Sequence, residues 1–345
     1  VSPVRSRRLV GNLDFEESLV GSDRPTLSLR VRRGLSAIAT LLRVLAAPSD
    51  RLWTPLRVEA GRVPAVPGVP PVRLESGPLE SASPAVSATL AWGETETVTR
   101  LRASGESAIE AVRAGEPPAM PGAPLSERVW RGPVPTAEAA RRVNHRGFGL
   151  ALAGRLGLAL PGTRLVSSPG ELEAHLRAGG ASPAGDRWVL KGTYSAAGRD
   201  RLRGTGRELP TGASLSRARR LFARHDALLF EPWFERELDV GCAAWVARDE
   251  VRLLGLHRQE VDGYGRFRGL TVTPGDPEGA LGLDAVEHEV LVETAQSVGG
   301  QLRESGYLGP FGLDAWRYRD ARGVRGFHAL SEINARLTIG LLVHA

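Results

Sequence analysis

The chain has 345 residues, 42% hydrophobic and 24% charged, which accommodates two or three compact units of ordinary globular composition. Its single cysteine, Cys242, excludes an intramolecular disulfide and agrees with a reducing, cytoplasmic compartment, and no apolar run approaches the roughly 20 residues that span a bilayer. The net charge of +6 comes from scattered arginines with only 6% aromatics, so neither nucleic acid nor membrane is expected as a partner.

Of the 45 basic residues, 44 are arginine and one is lysine, Lys191. Lysine and arginine differ in hydration, shape and point-charge character, so a lysine kept against such a background marks a candidate functional position. The predicted elements begin with a strand at Arg8 to Leu13. Leu35, Ile38, Leu41, Leu42 and Leu45 repeat at helical spacing and predict a core helix over 35–47, whose apolar run Arg43 interrupts. Short strands are expected at Arg51 to Trp53 and Ser87 to Trp92, the latter followed by a helix through Leu101, with a proline-rich loop at Pro64 to Pro71 between them. This βα rhythm favours an open, mostly parallel sheet. Glu116 to Pro135 reads as a linker.

Beyond it, a helix is predicted over Asn144 to Leu156, a strand over Thr163 to Val166, and a helix carrying Leu172, His175 and Leu176 behind the capping-box spacing of Ser168 and Glu171. A strand from Arg187 to Lys191 opens into a flexible loop, Gly192 to Gly206. A helix follows at Leu215 to His225, then strands at Leu228 to Phe230, Leu238 to Val246, Val251 to His257 and Arg266 to Thr273. A long helix covers Leu283 to Glu304, and a hairpin runs from Phe311 to Asn334.

Three segments carry chemistry. Lys191 ends an apolar strand and faces the small residues Ser195 to Gly198, whose backbone amides can approach an anion while the ammonium acts as a mobile point charge for phosphate. A plain surface loop after an edge strand is the other reading. Leu228 to Phe234 is an apolar strand meeting Pro232, with Glu235 and Glu237 close behind; it suits a nucleotide base and its ribose, or is an ordinary strand end with solvated acids. In the final hairpin, folding about Gly323 places Asp314 opposite or nearly opposite Glu332, with Asn334 on the same face. Converging carboxylates repel unless a cation sits between them, and two acids plus an amide oxygen suit Mg²⁺ held with nucleotide phosphates. Arg336 joins that side to meet a phosphoryl group or an oxyanion. A solvated hairpin with chance acids is the alternative.

Together these segments, over Arg141 to Gly340, resemble the ATP-grasp superfamily. Glu332-Ile333-Asn334-Ala335-Arg336 is similar to the Glu-x-Asn-x-Arg segment of its carboxylate ligases, and Gly309 to Asp314 to the strand bearing their first metal-binding acid. The resemblance implies an α/β chain, α+β in its C-terminal part. A Rossmann-like domain over 1–135 would precede a first ATP-grasp lobe at 136–230 and a second at 231–345. It implies ATP with one or two Mg²⁺ ions, Mn²⁺ being an acceptable substitute, and Asp314, Glu332 and Asn334 as metal ligands. Arg146, Lys191, Ser195 and Gly198 would bind phosphates, Glu231, Pro232, Trp233 and Phe234 would form the hinge beneath adenine, and Glu237 would hold the ribose. Arg336 and Lys191 would be catalytic. The family's cation at position 146 is usually lysine. The chain starts with valine and stops at Ala345, close behind Arg336, where relatives continue into a closing helix; both ends are compatible with a longer parent protein.

The implied activity is transfer of the ATP γ-phosphate to a small-molecule carboxylate, followed by attack of an amine or thiol. A phosphoryl-transfer enzyme without ligation, or a non-catalytic ATP-binding module, would use the same scaffold. His257, Arg258, Tyr264 and Arg266 are candidates for the substrate wall.

Overall fold

The computed structural model describes residues 6–20, 27–69, 71–79, 82, 86, 88–105, 134–196, 198–263, 265–272 and 281–344. It opens with β1 (Arg8–Val10), the short helix α1 (Phe15–Leu19) and α2 (Leu29–Ala39), which tightens into a 3₁₀ turn at Thr40–Leu45. Strands β2 (Arg51–Thr54), β3 (Arg73–Ser76) and β4 (Thr89–Ala91) and helix α3 (Glu96–Gly105) follow. The strands form the expected parallel sheet, in the order β3-β2-β1-β4. Strand β3 was not expected: Arg73-Leu74-Glu75-Ser76 sits at the sheet edge, mostly exposed, and carries no apolar run. Helix α2 starts at Leu29, where the Ser28 hydroxyl accepts from the Val31 amide. The predicted apolar stripe is divided: Leu42 and Leu45 are buried, Leu35 and Leu41 half-buried, and Ile38 is 43% exposed.

Helices α4 (Ala137–Asn144) and α5 (Arg146–Arg155) replace the single helix expected over 144–156. His145 separates them with extended dihedrals (φ −70°, ψ 125°), and its Nδ1 accepts from the Gly147 amide at 3.0 Å, capping α5. Next come β5 (Arg164–Val166), α6 (Pro169–Arg177), β6 (Arg187–Gly192), β7 (Arg201–Thr205), α7 (Gly212–Arg224) and β8 (Leu228–Pro232). The four strands make an antiparallel sheet, β5-β8-β6-β7, packed on Leu172, Leu176, Trp188, Leu190 and Phe230. Part of the expected loop at 192–206 is therefore strand: β7 returns along β6 with Lys191 opposite Arg201.

The C-terminal part holds β9 (Glu235–Val246), β10 (Val251–Val261), β11 (Phe267–Thr271), α8 (Ala285–Glu304), β12 (Gly309–Arg319), β13 (Arg325–Asn334) and the short α9 (Ile339–Val343). Its antiparallel sheet has the order β11-β10-β9-β12-β13. Helix α8 starts at a full capping box of Asp284 and Glu287 and buries Leu291, Ala295, Val298 and Leu302. One apolar cluster joins Leu9, Phe15 and Leu42 of the N-terminal region to Phe311, Leu313 and Leu341, so the parallel sheet and the large antiparallel sheet share a core. Among the described residues no helix is long and apolar enough to cross a membrane.

Candidate active site

The hairpin β12–β13 closes where the Asp320 carboxylate accepts from the Arg322 and Val324 amides, both at 2.8 Å, and Gly323 takes the φ of +81° that the turn requires. Its register pairs Asp314 with Glu332 and Gly312 with Asn334, which puts the two acids and the amide on one face. Asp314 Oδ1 accepts from Gln259 Nε2 at 2.7 Å, and its Oδ2 from Asn334 Nδ2 at 3.2 Å. Burial pushes the Asp314 carboxyl up to about 6, the Glu332 charge adds to that, and the bonds from Gln259 and Asn334 oppose it.

Gln259 lies on β10 and Asp314 on β12, with β9 between them. The reach is open because the intervening residue is Gly241: a Cβ there would stand 2.8 Å from Gln259 Nε2, 2.7 Å from His257 Nε2 and 2.8 Å from the Leu313 carbonyl oxygen.

The paired acids are tied to residues 192–195, behind β6, through Arg146. Its Nη2 donates to Glu332 Oε1 at 2.6 Å and to the Ser195 carbonyl at 3.0 Å, while Nη1 reaches Ser195 Oγ at 2.7 Å and the Gly192 carbonyl. The break at His145 starts α5 at Arg146, whose amide donates to the Thr193 carbonyl. Asn144 fixes the other end, bonding the Ala335 amide and carbonyl, both at 3.0 Å. A single cavity of about 130 Å³ is lined by Arg146, Lys191, Ser195, Gly198, Asp314 and Glu332.

Lys191 is buried there and donates to Glu231 Oε1 at 2.8 Å. Burial pulls its ammonium below the ordinary value, the Glu231 carboxylate opposes this, and Arg236 and Arg146 reinforce it. Burial likewise disfavours the Glu231 carboxylate, but the charge and hydrogen bond of Lys191 and the charge of Arg236 hold it below the usual range. The same cavity carries Arg201 and Arg236. Burial and the crowding of Arg203, Arg266 and Arg236 lower Arg201 to about 10, the signature of a concentrated positive field that a polyanion would relieve.

The other residues expected beneath a nucleotide base are placed differently. Pro232 ends β8, and the Trp233 amide donates to the Arg187 carbonyl at 2.8 Å. Phe234 is buried against Trp316 and Tyr318. Glu237 falls at an irregularity in the β9–β12 pairing and does not line this cavity; its carboxylate lies 2.5 Å from Arg319 Nε. Asp239, two residues on, faces the cavity instead.

Arg336 is directed by the N-terminal region. Its Nε donates to Glu16, its Nη2 to Asn334 Oδ1 at 2.9 Å, and its guanidinium lies 5.3 Å from the Trp92 ring centre. Sequence reasoning missed Gln259, Gly241, Asn144, Glu16 and Trp92; for Asn144, the nearby phosphate-binding candidate Arg146 was the available signal. Of the four substrate-wall candidates, His257 is buried and lines a second cavity with Asp314, Arg258 and Arg266 are exposed, and Tyr264 lies outside the described residues.

Two carboxylates and an amide are a hard oxygen donor set suited to Mg²⁺ or Mn²⁺. The Asp314 carboxyl, raised by burial and then by the Glu332 charge, is the feature a divalent cation would relieve. In this structure the Asn334 amide nitrogen faces Asp314 and its oxygen faces Arg336, so ligation through Asn334 would exchange that contact. Among the described residues no group of three or more His, Cys, Asp or Glu side chains gathers as a metal cluster.

No family model matches the chain, and no curated protein matches it by sequence. Solved structures do match its fold. N5-carboxyaminoimidazole synthetase from Staphylococcus aureus, complexed with ADP, superposes with a TM-score of 0.52 at 10% identity, covering 98% of this chain and 72% of that one. Carboxyaminoimidazole ribonucleotide synthase from Aspergillus clavatus, complexed with ATP, gives 0.50 at 14% identity, covering 97% and 71%. The fold is the ATP-grasp fold, as the resemblance in sequence implies.

Proposed function

We propose that this chain is an ADP-forming ligase that activates a small-molecule carboxylate as an acyl phosphate for attack by an amine. The observation that carries the proposal is the shared cavity, in which the lone lysine, the small-residue loop, Arg146 and the paired acids Asp314 and Glu332 meet. That is the equipment for placing a nucleotide triphosphate against an acidic metal-binding face.

Lys191, Arg146, Arg201 and Arg236 would neutralise phosphate oxygens, and a divalent cation on Asp314, Glu332 and Asn334 supplies further charge neutralisation when bound. A substrate carboxylate oxygen attacks the γ-phosphorus, the bond to the β,γ-bridging oxygen breaks, and ADP leaves. The amine then attacks the acyl carbon, inorganic phosphate departs, and the amine proton passes to solvent. Arg336, held by Glu16 and Trp92, would stabilise the oxyanion of that second step. Glu231 favours the charged form of Lys191 against the burial that opposes it. Positioning and electrostatics carry most of such a reaction, because phosphoryl transfer asks little of a protein base.

Hydroxylamine tests this reading. With ATP, Mg²⁺ and a pool of carboxylic acids, it should capture the acyl phosphate as a hydroxamate, with ADP released in equal amount. Glu332→Gln should abolish both while the protein still unfolds cooperatively. ADP release without hydroxamate would instead indicate phosphoryl transfer to another acceptor.

A further inference from the structure

Resting on the ligase reading, the geometry points to the class of acid activated: we propose that it has an apolar, singly charged body, aliphatic or aromatic, selected by Ile38 and Phe267. Asp314, Glu332 and Gln259 form a wall shared by two cavities of opposite character. On one side lie Lys191, Arg146, Arg201 and Arg236. On the other is a cavity of about 250 Å³, walled by Leu13, Leu35, Ile38, Trp92, Leu270 and Ile339, with Phe267 lining both cavities beside the shared wall. A phosphoryl group transferred across that wall would pass from a polyanion on the cationic side to a carboxylate whose remainder lies among apolar side chains.

Three observations support this assignment. Ile38 and Phe267 are each 43% exposed, and both line the cavity, so an apolar occupant would remove their surface from water. Leu35 and Ile38 stand one turn apart on α2 and face the cavity, whereas Leu42 and Leu45 beyond the 3₁₀ turn are buried in the core. Of the two arginines in the cavity wall, Arg336 is bonded to Glu16, and Arg199 lies 3.3 Å from Glu17 with its Nε and Nη2 without a hydrogen-bond partner, ready for one carboxylate. Both sit at the end shared with the reaction centre, where one carboxylate is needed. A second charge on the substrate body would meet hydrocarbon.

The test compares octanoate with suberate, which has the same carbon count and a second carboxylate. Calorimetric titration in the presence of ADP reads binding, and hydroxamate formation with ATP and hydroxylamine reads turnover. Octanoate should bind at least about tenfold more tightly than suberate, the scale of a group mismatched to an apolar pocket. Ile38→Asp should erase that preference without changing the KM for ATP. Because Ile38 is exposed, the variant should fold; Phe267→Ser provides a second, independent variant from another element. Equal binding of the two acids, or an unchanged preference in both variants, overturns the proposal. Octanoate binding without ADP release would sustain the pocket assignment and defeat the ligase reading, whereas turnover that favours suberate would do the reverse.

Discussion

The buried pair Lys191–Glu231 allows nucleotide chemistry to be separated from stability. At 2.8 Å the two charges attract by about 6 kcal/mol for an effective dielectric near 20, set against a desolvation cost of several kcal/mol for each ion. Removing one partner leaves the other charge buried, so Lys191→Met should destabilise the protein by about 3–5 kcal/mol, and Glu231→Gln by a similar amount. The double variant removes both desolvation costs and should return to within about 2 kcal/mol of the parent, because a paired neutral replacement of similar volume is nearly neutral. Turnover should not return with it, since the ammonium needed for the phosphates is gone. Urea unfolding of all four proteins, alongside ADP release, reads both effects. The pH dependence adds a sign. In the parent, Glu231 is held below its ordinary value, so its contribution is present above the usual carboxylate range and is lost only as pH falls through its lowered value. Without Lys191, burial dominates and Glu231 takes up a proton more readily, so Lys191→Met should gain stability on mild acidification. A double variant as unstable as either single one, or full turnover in Lys191→Met, would refute the reasoning.

Gly241→Val should push Gln259 off Asp314 and crowd the Leu313 carbonyl, costing about 1–3 kcal/mol by thermal unfolding and raising the Mg²⁺ concentration needed for turnover; an unchanged Mg²⁺ requirement would remove Gln259 from the account. Asn144→Ala should free the Ala335 backbone and cost about 1–2 kcal/mol, with kcat reduced more than KM for ATP, as steady-state kinetics would show. Burial holds His257 and His328 near 4, so both take up protons on unfolding between pH 6.5 and 4 and their contribution is lost as pH falls through that window. Asp314, raised to about 6, works in the opposite direction below pH 6. For these three groups the net loss is about 1.4 kcal/mol per pH unit, and His344, also lowered by burial, adds to it; urea unfolding at pH 7, 6 and 5 measures the fall.

The hairpin was readable because alternation, a glycine turn and two acids specify one register, and Asp314 does pair with Glu332. The parallel βα pattern at the start was readable for a similar reason: apolar runs punctuated by turn residues are local signals. The division of the helix at His145 was not, because Gly147 is a weak mark inside an otherwise helical pattern; the break is stabilised by the His145 cap on the Gly147 amide and by the contacts of Arg146 with residues 192–195 and with Glu332. Small residues at 195–198 suggested loop, and their reading was extended too far, across β7, whose pairing with β6 depends on a distant return of the chain. Gln259 reaches Asp314 across a strand, and Glu16 reaches Arg336 from the other end of the sequence, so neither contact leaves a local pattern. Ile38 was assigned to the core because periodicity identifies an apolar face without saying whether protein or ligand covers it.

The most direct test of the central claim uses an acid that supports turnover, labelled with ¹⁸O in its carboxylate. If that carboxylate attacks the γ-phosphorus, one labelled oxygen must appear in the inorganic phosphate released on amide formation, with ADP as the other product. Unlabelled phosphate, or release of AMP and pyrophosphate, would contradict the account.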